Sequence, residues 1–146
     1  MLRIEHLTKK FGQKTAVDDL SLHIHPGEIY GFIGHNGAGK TTTLKCVAGI
    51  HPFDKGEIWI HSHSVKDDAL ACKRITAYIP DNPDLYDYMT GAQYLGFIAD
   101  IFSMDASKRK SAISHYAELF GLSENLAQPI RAYSHGMKQK LSLIHI

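Results

Sequence analysis

The sequence predicts an α/β fold, with a strand-rich part that runs to about Ile79 and a helical part that starts near Thr90. Three observations predict it. Apolar and polar residues alternate in the first third of the chain, as they do in half-buried strands. A glycine-rich turn at residues 34–39 divides an apolar stretch from a helical pattern, and beyond Thr90 the apolar residues recur at helical spacing. Within residues 1–146 we expect a β-rich core at 1–84 and a helical subdomain at 85–146.

The expected strands lie at residues 2–7, 20–25, 28–33, 56–60 and 75–79, where short apolar runs end at turn-forming residues. Pro26 and Gly27 separate the second strand from the third. A helix is expected from Lys40 to Gly49, because glycine commonly ends helices, and a shorter helical stretch is expected near residues 67–72.

Two longer helices are expected in the second part. Thr90 and Gln93 have the spacing of a capping box, in which each side chain bonds the other residue's backbone N–H. Two apolar stripes follow at i, i+3, i+4 and i+7 spacing, and we expect both to belong to the core. They are Tyr94, Phe97, Ile98 and Ile101 on the first helix, and Ile113, Tyr116, Ala117 and Phe120 on the second.

Bulk composition excludes several classes of function. The formal net charge is +1, so no basic face for nucleic acid is expected. Cys46 and Cys72 form no CxxC pair, which argues against a disulfide framework or a zinc knuckle. No apolar run approaches the length of a membrane span. Two histidine pairs, at residues 23 and 25 and at 61 and 63, lack further ligands and are assigned to solvent-facing positions.

Residues 34–41 match the phosphate-loop pattern G-x-x-x-x-G-K-[ST] at every fixed position. Glycines let the backbone turn so that successive N–H groups point inward, and the dipole of the following helix adds positive potential. The lysine places a charge on the β- and γ-phosphates, and the threonine hydroxyl can bind Mg²⁺. The predicted ATP-binding residues of this segment are Gly34, His35, Asn36, Gly37, Ala38, Gly39, Lys40, Thr41 and Thr42.

The loop alone does not select a function, because small-molecule kinases, GTPases, helicases and transport ATPases all carry it. Two further segments do. Residues 133–140, YSHGMKQK, resemble the signature motif of the ABC ATPases, whose usual core is LSGGQ. Residues 7–12, LTKKFG, resemble the A-loop of the same family, in which an aromatic side chain stacks on adenine. The motifs occur in family order, and the resemblance covers nearly the whole chain.

The resemblance implies a P-loop NTPase core of the ABC type, with an antiparallel β subdomain and a helical subdomain. Phe11 would be the adenine platform, and Thr41 a ligand of Mg²⁺. The signature residues would face the ATP held by a second ATP-binding subunit in a head-to-tail dimer; they are Ser134, His135, Gly136 and Met137. By chemistry alone, Ser134 is also a good N-cap for the helix that follows it.

Three departures from the family pattern stand out. Asp81 occupies the place of the Q-loop glutamine, from which its carboxylate can reach Mg²⁺ or its water. His135 and Met137 replace the usual glycine and glutamine of the signature. Apart from these departures, residues 78–86 look most like the Ecs-type bacterial exporter ATPases.

The third departure concerns hydrolysis. The family's Walker B aspartate, catalytic glutamate and switch histidine follow the signature motif, whereas the last acidic residue here is Glu124. We therefore expect this chain to bind ATP without hydrolysing it. We also expect the native protein to continue further, because residues 141–146, LSLIHI, are what the sequencing-adapter string CTGTCTCTTATACACATC would encode.

The leading functional hypothesis is an ATPase subunit, cytoplasmic and peripheral on the inner face of the cell membrane, that drives transport through a transmembrane permease. The alternative is a soluble ABC ATPase that acts on ribosomes or DNA; such proteins tend to carry a second cassette or long basic insertions. A P-loop small-molecule kinase would need neither the Ser134 motif nor the Phe11 platform.

Overall fold

The computed structural model describes residues 1–144, and the chain divides into two compact units, Met1–Tyr78 and Ile79–Ile146. His145 and Ile146, which belong to the suspected adapter sequence, lie outside the described residues. The first unit contains β1 (Leu2–Phe11), β2 (Lys14–Ile24), α1 (Lys40–Val47), β3 (Lys55–Ile60), β4 (His63–Ser64) and α2 (Ala69–Arg74). The second contains α3 (Gly91–Ile101), α4 (Ala106–Leu119) and α5 (His135–Ile144), with 3₁₀ turns at Ser123–Asn125 and Ile130–Ala132.

The strands of the first unit form one antiparallel sheet in the order β2-β1-β3-β4, with Leu2 of β1 opposite Ile24 of β2 and Ile60 of β3. This sheet confirms the expected antiparallel β subdomain. Helices α1 and α2 complete its core, whose buried residues are Ile4, Leu7, Val17, Cys46, Ile58, Ile60, Val65 and Cys72.

A bulge explains how β1 buries two residues that are three positions apart. Strict alternation would place Ile4 and Leu7 on opposite faces of the sheet, yet both are buried. The ladder to β2 shifts register between them, at His6, whose φ is 51°. Asp19 on β2 has a matching φ of 49°, and its Oδ1 lies 2.7 Å from Nδ1 of His6. The bulge therefore rotates the strand so that both apolar side chains reach the core.

Two predicted strands are wrong. Residues 28–33 and 75–79 are not strands, and no described segment pairs with either of them. The side chains of Ile29 and Ile33 are fully exposed, at 102% and 95%. An apolar run becomes a strand only when a neighbour accepts and donates its backbone hydrogen bonds, and residues 1–144 supply no such neighbour at these two places.

In the helical unit, the start of α3 agrees with the prediction, whereas the buried face of α3 differs from the predicted one. The capping box is present: Gln93 N–H donates to Thr90 Oγ1 at 3.2 Å, and Thr90 N–H donates to Gln93 Oε1 at 2.9 Å. The buried residues of α3 are Gly91, Tyr94, Leu95 and Ala99. Among the predicted stripe, Phe97 and Ile101 are exposed, because the apolar surface of α3 is wide and the core lies on its Leu95 side.

The second predicted stripe is also only partly buried. On α4, Ala117 is buried and Ile113 packs against the core of the second unit, whereas Tyr116 is 44% exposed. The buried cluster of this unit is Tyr94, Leu95, Leu122, Ile130, Tyr133 and Leu141. Within residues 1–144, no helix is both long and apolar enough to cross a bilayer.

Candidate functional site

The phosphate-loop sequence forms a turn that leads directly into α1. Gly37 and Gly39 have φ values of 85° and 86°, in the left-handed region that glycine adopts without steric cost. Ala38 N–H donates to the carbonyl of His35 at 3.2 Å and closes the turn. A Cβ on Gly39 would lie 2.3 Å from the carbonyl oxygen of Ala16 on β2. Only glycine therefore fits where the loop packs on the sheet.

The N-terminus of α1 is left without a side-chain cap. Its N-cap residue is Gly39, so no N-cap side chain accepts a hydrogen bond from the N–H groups of the first turn. The unpaired N–H groups and the positive end of the helix dipole together favour an anion at this point. Thr41, in the same turn, is exposed, whereas the Thr43 hydroxyl donates to the Gly39 carbonyl at 3.0 Å.

Lys40 folds back over the loop. Its ammonium Nζ donates to the carbonyl of Gly34 and to that of His35, at 2.8 Å for the second. The charge is thus held at the mouth of the turn by two weak, uncharged acceptors. Phosphate oxygens would be stronger acceptors for the same group, because their negative charge attracts the ammonium directly. The imidazole of His35 is engaged with its neighbour, with Nδ1 2.9 Å from the Asn36 carbonyl.

Phe11 lies close to this loop through the β1–β2 hairpin. Phe11 pairs with Lys14 across the hairpin, and Lys14 precedes Ala16 by two residues on the same strand. Two residues of strand cover about 6.6 Å, and the two strands lie about 4.8 Å apart. These spacings put the Phe11 backbone about 8 Å from that of Ala16, the residue whose carbonyl oxygen faces the loop at Gly39. The ring is 48% exposed, so a ligand can reach it.

The predicted signature residues lie at the start of α5 in the second unit. Ser134 precedes the helix, and its Oγ accepts the N–H of Met137 at 3.3 Å, which confirms the predicted N-cap. His135 and Gly136 are exposed in the first turn, and Met137 packs against the core. Tyr133 anchors the segment, since its buried hydroxyl donates to the Asn125 carbonyl at 2.7 Å.

Burial raises the pKa of the Tyr133 phenol, so the hydroxyl stays protonated and keeps donating through the physiological pH range. Gly91 makes room for it: a Cβ at that position would lie 2.3 Å from the Tyr133 hydroxyl oxygen. The segment before Ser134 is therefore fixed by packing as well as by hydrogen bonding.

Asp81 is exposed in an irregular segment of the second unit. Its backbone carbonyl accepts a hydrogen bond from Nε2 of Gln139 on α5 at 3.3 Å, and nearby Asp87 forms a 2.7 Å ion pair with Lys138. The predicted residues thus fall into two sets. Phe11 and residues 34–42 share the first unit, whereas Asp81 and the signature residues share the second.

Several residues around these sites were not identified from the sequence. Lys9 and His51 flank the Phe11 ring, and Lys138 and Gln139 join the signature helix to the Asp81 segment. The contact of Lys9 with Phe11 could have been inferred from the sequence, because residues two apart on a strand share a face. The other contacts depend on how elements distant in sequence pack together. Within residues 1–144, no group of three or more His, Cys, Asp or Glu side chains is placed to hold a metal ion.

Comparison with known proteins gives a family match, a curated relative and two solved structures of similar fold. A family model described as ABC transporter matches residues 17–146. The uncharacterized ABC transporter ATP-binding protein YhcH of Bacillus subtilis (strain 168) is 38% identical over 144 residues, which cover 98% of this chain and 46% of YhcH. A solved structure of the ATP-binding subunit of an ABC transporter superposes with a TM-score of 0.88 at 28% identity, covering 99% of this chain and 60% of that one.

A second solved structure shares the fold. It is a dimeric, post-hydrolysis state of the ATP-binding cassette MJ0796 bound to ADP and Pi, with a TM-score of 0.85 and 21% identity. The alignment covers 99% of this chain and 68% of that one. The chain spans about half the length of curated relatives such as YhcH.

Proposed function

The chain belongs to the ABC transporter family, and from that premise we propose that it is an ATP-binding subunit that couples ATP binding and hydrolysis to transport through a separate membrane subunit. The observation that carries the proposal is the turn at residues 34–39, where an uncapped helix N-terminus and the Lys40 ammonium converge. A backbone turn of this kind binds anions without needing any other side chain.

The residues of the loop fit the triphosphate of ATP. Backbone N–H groups of residues 34–41 would surround the β- and γ-phosphates, and Lys40 would exchange its two carbonyl acceptors for phosphate oxygens. The exposed hydroxyl of Thr41 is an oxygen ligand of the kind that Mg²⁺ prefers. Bound Mg²⁺ would neutralise phosphate charge. The exposed Phe11 ring, near Gly39, would stack on the adenine.

The second unit would supply contacts to partners. The dipole of α5 and the Ser134 hydroxyl would face the ATP of a second ATP-binding subunit in a head-to-tail dimer, together with His135, Gly136 and Met137. The Asp81 segment, in the place of the family's Q-loop, would respond to the permease. Such a subunit would lie on the cytoplasmic face of the membrane, attached through its permease.

We further propose that this chain binds ATP but does not hydrolyse it. In the family, an aspartate and a glutamate after the signature motif hold Mg²⁺ and polarise the attacking water, and no acidic residue follows Glu124 here. Hydrolysis would then belong to a protein of the length of the relatives, about twice that of this chain.

Calorimetric titration with MgATP tests the binding proposal. Lys40→Ala should weaken binding by roughly 1.5–3 kcal/mol, or about ten- to 150-fold, because it removes a charge-assisted hydrogen bond to phosphate. Lys108→Ala is the matched control, since Lys108 is an exposed lysine of α4 in the other unit. Binding that is equal in the wild type and Lys40→Ala would refute the proposed site. Phosphate release above background that Lys40→Ala abolishes would refute the claim that this chain does not hydrolyse ATP.

A further inference from the structure

The Phe11 ring is held by two neighbours that come from different elements. Nζ of Lys9 lies over one face of the ring, 4.8 Å from its centroid. The imidazole of His51 makes a perpendicular contact, with ring centroids 5.7 Å apart and planes at 80°. Both arrangements are attractive, since the ring face carries negative potential and the ring edge positive potential.

His51 is itself fixed, because the loop that carries it is bonded at both ends. On one side, His51 N–H donates to the Lys45 carbonyl at the end of α1, at 3.1 Å. On the other side, Asp54 N–H donates to the Thr8 carbonyl at 2.9 Å, and the Asp54 carboxylate accepts the N–H of Lys10 at 2.6 Å. The imidazole is half-buried between these two attachments.

Helix α1 therefore serves both ends of the proposed ATP site. Its N-terminus forms the phosphate loop, and the loop after its C-terminus places His51 on Phe11. The helix has eight residues, so these two points are about 12 Å apart along its axis. One rigid element thus sets the position of the aromatic platform relative to the phosphates.

We propose that His51 and Lys9 are positioning residues of the base subsite, which hold the Phe11 ring in the orientation that stacks on the base of a nucleotide. This inference rests on the proposed function. An exposed phenylalanine side chain exchanges between rotamers. A ligand that stacks on it must hold the ring in one rotamer, and the lost entropy reduces the binding free energy. The His51 and Lys9 contacts stop the ring before the ligand arrives, so they add to the affinity for the base and nothing to the affinity for phosphates.

The test compares two ligands that share a phosphate chain and differ in the base. Dissociation constants for Mg-ATP and for magnesium tripolyphosphate are measured with the 146-residue chain and its variants. His51→Ala should weaken ATP binding by about two- to tenfold, and Lys9→Met by about two- to fivefold. Neither variant should change tripolyphosphate binding. His51→Phe keeps an aromatic partner for Phe11 and should restore the wild-type affinity for ATP.

His115→Ala is the matched control. His115 makes the same kind of ring contact, at 5.2 Å and 64°, with Tyr116 on α4 in the other unit. This variant should bind ATP and tripolyphosphate like the wild type. A His51→Ala protein that binds ATP normally, or that loses affinity for both ligands equally, would overturn the inference. The proposed function fails separately, if Lys40→Ala leaves both ligands bound at wild-type affinity.

Discussion

Two helices of this chain begin at a predicted nucleotide-contacting motif, and their first turns are completed in opposite ways. At α1 the N-cap is Gly39, with φ of 86° and no side chain to bond the helix. At α5 the preceding residue is Ser134, whose hydroxyl accepts the N–H of Met137. The first turn of α1 leaves its backbone N–H groups available to a ligand. In the first turn of α5, the Ser134 side chain already bonds one such N–H group.

The difference matters for what each end can bind. An uncapped N-terminus with a left-handed glycine leaves its N–H groups to water or to a ligand, and a bound anion would stabilise it, so ligand binding and local stability should be coupled at α1. A serine-capped N-terminus is stable by itself, and it presents a hydroxyl and a dipole without waiting for a ligand. We therefore expect substitutions at the first site to affect ATP affinity and stability together. Substitutions at the second site should affect the stability of the monomeric chain and leave its own ATP affinity unchanged.

The largest expected effect is that of Gly39→Ala. A side chain there must adopt a left-handed conformation, at about 1–2 kcal/mol, and its Cβ would meet the Ala16 carbonyl oxygen at 2.3 Å. With about 1–3 kcal/mol more for the overlap, the free energy of unfolding should fall by about 2–5 kcal/mol in urea titrations. ATP binding should be lost with it, because the loop cannot keep its backbone path.

Gly37→Ala sharpens this prediction as its control. Gly37 has nearly the same φ, 85°, but nothing lies within 4 Å of its would-be Cβ. The free energy of unfolding of Gly37→Ala should therefore fall only by the cost of the left-handed conformation, about 1–2 kcal/mol. Equal losses for the two variants would show that the packing of the loop on Ala16 does not determine the cost.

A smaller effect is expected at the capped helix. Ser134→Ala should lower the free energy of unfolding by about 1 kcal/mol, since the Met137 N–H loses its acceptor. Ser134→Asn keeps a capping oxygen and should restore most of that loss. ATP binding by the monomeric chain should be unchanged in both. Calorimetry that showed Ser134→Ala reducing this affinity as strongly as Gly39→Ala would erase the distinction between the two helix ends.

The sequence predicted the local features of the molecule best. The turn at residues 34–39, the helix from Lys40 and the Thr90–Gln93 capping box each depend on a few neighbouring residues, so a single segment contains the whole signal. The Ser134 cap is of the same kind. The family resemblance was confirmed as well, since it rests on motifs of this local type in a fixed order.

Features that depend on partners distant in sequence were predicted less well. Residues 28–33 and 75–79 have strand-like composition, yet a strand exists only where another strand lies beside it. Periodicity identified α3 as amphipathic. It placed Phe97 in the core, whereas the structure leaves Phe97 exposed and buries Leu95. Both Leu95 and Phe97 are apolar, and only the packing of α3 against the rest of its unit decides which is buried. The His51 contact with Phe11 is hidden for the same reason.

The smallest expected effect concerns the ion pair that ties α5 to the segment after Asp81. Nζ of Lys138 lies 2.7 Å from Oδ1 of Asp87, and the two side chains are 24% and 50% exposed. Pairs with this exposure contribute about 0.2–1 kcal/mol. A double-mutant cycle with Lys138→Ala and Asp87→Ala should give a coupling energy in that range when unfolding is followed in urea.

Salt distinguishes this pair from the cap at the same helix. The Debye length falls from about 10 Å at 0.1 M to about 3 Å at 1 M salt, so the Lys138–Asp87 coupling should shrink as salt is added. The Ser134 cap is a neutral hydrogen bond, and its contribution should persist. Lys140→Ala serves as the control, because Lys140 is exposed on α5 and should show no coupling to Asp87 at any salt concentration. A Lys138–Asp87 coupling that does not change between 0.1 M and 1 M would show that packing of the Lys138 side chain, rather than charge, holds the segment to α5.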